Sequence, residues 1–191
     1  MIVDLASLKT YLRNEGVAYD DQGLVNAELT AEVLLADITG RTWNVATGTP
    51  SARLYVPRGD DVLRIHDCVS VTSVVAGTSS ISSTAYQLEP VNQLTWSGQY
   101  RPYEQIRMIY GFWYQYGRKA TISVTADWGW SAFPSPIVEA AKVLTKDVLA
   151  HRDVKFGLVG ITDYGGVRAR QATLITDLTT NFARAEKFGI A

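Results

Sequence analysis

Cysteine occurs once in the 191 residues, as Cys68, which excludes an internal disulfide framework and any zinc cluster built on several thiolates. Histidine occurs only at His66 and His151, so neither an HExxH helix nor a paired-histidine metal spacing can be drawn. Neither sign of charge dominates: 18 Lys and Arg stand against 19 Asp and Glu, for a net charge of -1 at pH 7. A whole-chain basic footprint of the kind that grips phosphate backbones is therefore missing. No apolar run approaches the ~18 residues that a membrane span requires. The opening MIVDLASLKTYLRNEG has no basic stretch followed by an apolar core, so no secretory leader and no membrane partner are expected. A soluble protein made in a reducing cytosol is the reading these absences support.

What is present is a core-forming composition, 47% hydrophobic and 19% charged, the reverse of a disordered chain. Hydrophobic period divides it. Over 4–14, Leu5, Leu8 and Leu12 recur at helical spacing behind Asp4, a good N-cap. A second helix is predicted over 21–39. Leu24, Ala27, Ala31, Leu34, Leu35 and Ile38 form its stripe, Glu28, Glu32 and Asp37 lie mostly off it, and Gly40 stops it.

From about 50 to 130 the period becomes two. Leu63 and Ile65 alternate with Arg64 and His66, Val69 to Ala76 alternate strictly, and Ile122, Val124, Ala126 and Trp128 alternate with polar residues. Pro57 to Asp60, Gly77 to Ser80 and Tyr116 to Arg118 supply turns. About six short strands in an antiparallel sheet or sandwich follow.

Helix returns with Ser135 as cap and Pro136 at the first helical position, followed by Ile137, Ala140, Ala141, Leu144 and Val148. Residues 153–168 hold four glycines and no period, a long loop or arm, before a last helix over about 170–186. The expected fold is α+β: an antiparallel helical bundle (1–48 and 132–191) interrupted by an inserted β subdomain (49–131). Leu34, Leu35, Ile137, Leu144 and Val148 are expected to share its helical core.

Sites of chemistry are few. His66 and Cys68 would share a face of a strand and could form a nucleophile pair, the basis of a small Cys-dependent hydrolase as one alternative. An inert buried cysteine is the plainer reading. The glycines of 157–166 match no phosphate loop, and Asp153 and Asp163 offer too few oxygens for calcium. No catalytic residue, metal or cofactor is expected.

The unusual feature is aromatic density: Trp96, Tyr100, Tyr103, Tyr110, Phe112, Trp113, Tyr114 and Tyr116 fall within 21 residues, ahead of Trp128, Trp130 and Phe133. A strand faces two ways, so consecutive Phe112, Trp113 and Tyr114 cannot all be core. Tyr110, Phe112, Trp113, Tyr114 and Tyr116 are taken as a protein interface, and Lys155, Arg168 and Arg170 as a second contact on the arm. Stacking on single-stranded nucleic acid is the alternative for the aromatics, and it lacks a basic groove.

The order of several segments resembles the head-tail connector, or head-to-tail adaptor, proteins of long-tailed phages, especially those of actinobacteria. These are DLASLKTYL (4–12), ADITGRTW (36–43), LYVPRGDDVLRIHD (54–67), VTSVVAG (71–77), VTADWGWSAFPSPIVEAA (124–141) and a C-terminal helix with Asp177 and Leu178. The WGW before a proline-started helix is the most telling piece; many members are nearly all helical, and the β insertion departs from them. The resemblance implies a structural virion protein forming a dodecameric ring beneath the portal. Viral double-stranded DNA would pass through its lumen, with a stopper or tail-completion protein on the tailward side. Another neck component is the alternative within that class.

Overall fold

The computed structural model describes residues 1–13, 20–95, 98–114, 119–152 and Phe182. Helix α1 spans Leu5–Arg13, α2 Asp21–Thr39 and α3 Ser135–Arg152. Asp4 caps α1: its carboxylate accepts from the Ser7 amide at 2.9 Å and the Ser7 hydroxyl at 2.7 Å. Asp20 caps α2 through the Gly23 amide, and Gly40 ends it in the left-handed conformation, its N–H donating to the Ala36 carbonyl. The start of α3 lies one residue earlier than the sequence suggests. Ser135 is already helical, and the Pro134 carbonyl accepts the first helical bond, from Val138 at 3.2 Å.

The α2 stripe differs from expectation. Its buried face runs through Leu24, Ala27, Glu28, Ala31, Leu35 and Thr39. Leu34, expected in the core, is 38% exposed, and Ile38 also faces out. Glu28 takes an inner position because the N-terminal segment lies against this face. Its Oε1 accepts from the amides of Ile2 at 2.5 Å and Val3 at 3.1 Å, groups with no helical or sheet partner. Leu35, Ile137 and Leu144 are buried as expected. Val148 is half-buried against Leu12, Leu24, Ala27 and Leu149.

The strands are β1 (Ser51–Tyr55), β2 (Val62–Ala76), β3 (Ser79–Ile81), β4 (Tyr86–Glu89), β5 (Tyr103–Met108) and β6 (Ile122–Trp128). They form one antiparallel sheet ordered β1-β6-β2-β5-β4, with β3 paired to β2, and not a sandwich. Mixed α+β is thus the class. Strand β2 carries register shifts between Arg64 and Cys68 against β5, and between Cys68 and Ser70 and Val71 and Ser73 against β6. Each extra residue rotates the following side chains to the other face. Leu63 and Ile65 therefore share one core with Cys68 and Val74, residues of opposite parity, and the strict alternation expected over 69–76 is broken. The extra residues lie in β2; β6 pairs with β1 without a shift from Ile122 to Ala126, and its alternation is as written in the sequence.

The chain divides into two compact units: Met1–Trp43 with the chain from Phe133 onward, and Asn44–Ala132. In the first, α2 packs along α3 and α1 touches both. In the second, the entering and leaving segments lie side by side. Val45 bridges Trp130 in parallel, Trp130 N donates to Asn44 O at 2.9 Å, and Ala46 N donates to Trp130 O at 2.9 Å. Residues 44–48, expected with the helices, thus belong with the sheet. Gly129 makes this closure possible. At φ 123, a Cβ there would stand 2.5 Å from both Asn44 Nδ2 and Asn44 O. Trp128 donates its indole N–H to Ser51 O at 2.7 Å, and Trp130 is fully buried. The WGW triplet is where the sheet unit is tied shut.

The arm of 153–168 and the helix expected over 170–186 lie outside the described residues, apart from Phe182. That residue is buried, and its carbonyl accepts from Arg41 Nε.

Candidate interaction surface

Strand β5 ends in a short loop fixed at two points. Ile109 N donates to Ala85 O at 3.0 Å, and Trp113 N donates to Asp60 O at 2.8 Å. Between them Gly111 adopts φ 87, a left-handed backbone that favours glycine. The indole of Trp113 turns inward and donates to Ile106 O at 3.2 Å, inside the sheet's hydrophobic cluster. Trp113 is 2% exposed, so it is a core residue and no partner can reach it, contrary to the sequence expectation.

Its neighbours point the other way: Tyr110 is 86% exposed, Phe112 61% and Tyr114 74%. An anchored backbone thus presents three large aromatic side chains to solvent. Beside the loop, Arg107 is held between Glu89 at 2.8 Å and Asp61 at 2.6 Å. Those hydrogen bonds, Glu89 first and Asp61 second, raise the guanidinium pKa above its ordinary value. Tyr103 lies half-buried against the core, and the Tyr100 hydroxyl accepts from Gln93 Nε2 at 3.2 Å. Tyr116, Lys155, Arg168 and Arg170, with Trp96, lie outside the described residues.

The His66–Cys68 pair does not form a nucleophilic site. Cys68 is fully buried in the sheet core. His66 is committed elsewhere: its Nδ1 pairs with the Tyr55 hydroxyl at 2.8 Å, and its ring meets Trp128 edge-on at 6.2 Å. Arg53 stacks over the same Trp128 at 4.5 Å. A thiol without solvent access cannot attack a substrate. Among the described residues no group of three or more His, Cys, Asp or Glu is placed to hold a metal ion, and no helix is long and apolar enough to cross a membrane.

A second surface escaped the sequence reading. The outer face of α2 presents Leu29, Val33, Leu34 and Ile38 to solvent. Their helical spacing is visible in the sequence, which places Leu34 and Ile38 on the buried stripe instead. Both faces of α2 are apolar enough for a core, and periodicity alone does not say which is covered.

No protein-family model and no curated protein matches the sequence. Solved structures do share the fold. A chain in the neck of an empty gene transfer agent particle, computed with C6 symmetry, aligns with a TM-score of 0.60 at 13% identity, covering 98% of this chain and 92% of that one. A chain in the neck of the native particle, computed with C12 symmetry, aligns at 0.54 and 12% identity, over 99% and 95%. A chain of the native gene transfer agent virion aligns at 0.57 and 14% identity, over 98% and 92%. The likeness is one of fold, and it spans both units.

Proposed function

We propose that this chain is a structural subunit of the neck of a tailed phage or phage-like particle, acting as a head-to-tail adaptor. In this reading copies form a ring, with the portal protein on one side and a stopper or tail-completion protein on the other. Viral DNA passes through the lumen without sequence-specific binding. The chain is made in the host cytoplasm and resides in the virion neck. The observation that carries the reading is the shared two-unit fold, aligned over nearly the whole of this chain and of the chains in gene transfer agent necks. Necks computed with C6 and with C12 symmetry are both compatible with a dodecameric ring, since twelve copies satisfy either.

The near-neutral charge supports the conduit role, because DNA must slide past without being retained. The burial of Cys68 supports a scaffold over a Cys-dependent hydrolase. The loop of Tyr110, Phe112 and Tyr114 is the proposed contact for the portal or the tailward partner, and Tyr116, Lys155, Arg168 and Arg170 are proposed to add to it.

The test mixes purified chain with portal and images the product by negative stain. Rings stacked on portals are expected. A variant with Tyr110, Phe112 and Tyr114 changed to Ser should melt like wild type and bind portal or tailward partner at least about tenfold more weakly. Localisation of the tagged chain anywhere but the neck of assembled particles would overturn the reading.

A further inference from the structure

We propose that neighbouring copies in the ring meet through the outer face of α2, received by the groove between α1 and α3 of the next copy. This rests on the ring reading above and names the surfaces that build it.

The apolar part is the ridge of Leu29, Val33, Leu34 and Ile38, one helical turn between successive rows. The receiving part is an open groove of about 410 Å³ lined by Ala6, Ser7, Thr10, Tyr11 and Lys142. Small side chains and the Tyr11 ring line a trough into which aliphatic knobs fit.

Charge selects this pairing. Helix α2 contains Asp21, Glu28, Glu32 and Asp37 and no Lys or Arg, and all but Glu28 lie outside its core face. Helix α1 contains Lys9 and Arg13 and no acid, while α3 brings Lys142 and Lys146 together with Glu139 and Asp147, and Lys142 lies 2.6 Å from Glu139. The same attraction already operates within one copy, where Lys9 meets Asp21 at 2.6 Å. An apolar ridge on an acidic helix facing a trough whose α1 wall is basic is complementary in both respects.

Geometry requires the two surfaces to come from different copies. The inner face of α2 is buried beside α3 and α1, so its outer face is directed away from the groove that those helices form. A contact between two unlike surfaces is head-to-tail, and such contacts repeat until they close on themselves. Four side chains cover much less than the ~800 Å² per partner of a stable interface. The pairing is therefore weak singly and gains strength from closure of the ring.

The experiment uses the full chain, with sedimentation velocity over a concentration series, imaging of the products, and circular dichroism to check folding. Val33→Asp, Asp37→Lys and Lys142→Glu should each weaken self-association by about tenfold or more. An equimolar mixture of Asp37→Lys and Lys142→Glu should recover it, because alternating copies make every junction complementary. Val33→Asp, at an exposed position, should gain nothing from mixing.

Rings formed normally by Val33→Asp and Asp37→Lys would overturn the interface and leave the ring reading standing. Loss of association in Asp37→Lys that plain wild type rescues, with Lys142→Glu unaffected, would mean α2 meets α2 and would overturn the head-to-tail pairing. Wild type that stays monomeric at about 1 mM and forms no ring on portal would overturn both readings.

Discussion

Phe112, Trp113 and Tyr114 are adjacent in sequence, yet only the middle one is buried. Two hydrogen bonds decide this, from Trp113 N to Asp60 O and from its indole to Ile106 O. Stability and binding should therefore separate at single residues. Trp113→Ala should cost about 3–5 kcal/mol in denaturant unfolding, the usual range for a buried tryptophan. Phe112→Ala should stay within about 0.5 kcal/mol of wild type and weaken partner capture instead. The opposite ranking would mean that the loop is seated differently. That the aromatic run serves two purposes was legible from its density. Which residue turns inward was not, because the backbone anchor at Asp60 comes from a distant part of the chain.

At the scale of elements, capping chemistry transfers cleanly from sequence to structure. Asp4 and Gly40 do at the ends of α1 and α2 what their types dictate. The Ser7 hydroxyl and amide hold the Asp4 carboxyl below its ordinary value of 3.8. The sign follows directly: the folded pKa is depressed, so the stabilisation is present above the unfolded value and is lost as pH falls through the folded one. The melting difference between wild type and Asp4→Ala should be constant above pH ~5 and shrink toward pH ~2. A difference that widens on acidification would contradict the cap. Strand β2 is the counter-case. Its parity changes at the register shifts, so Cys68 and Val74 sit with Leu63 and Ile65. Nothing local to 62–76 marks those shifts, because they are set by how β5 and β6 pair with it.

At the scale of the whole molecule, the second unit closes on itself around Asn44, Ala46 and the WGW triplet. Entry and exit of the sheet unit are adjacent there, so it can be removed without stretching the helical part. A chain with 44–132 replaced by a short glycine linker should give a helical circular dichroism spectrum and a cooperative melt. The isolated 44–132 segment, with its own hydrophobic cluster, should fold as a β protein. A coil spectrum from both pieces would show that neither unit carries an independent core.

The sequence by itself determined the caps of α1 and α2, the change of period near 50 and 130 and the alternation of β6. All of these depend on neighbours within a few residues or on composition. Only the tertiary structure decided which face of α2 is covered, why Glu28 is buried under Ile2 and Val3, and that Cys68 is closed to solvent. It also decided that Gly129 must remain bare beside Asn44. Each of these turns on a partner brought from a distant part of the chain. Hydrophobic pattern records that a surface must be covered, and packing alone records by what.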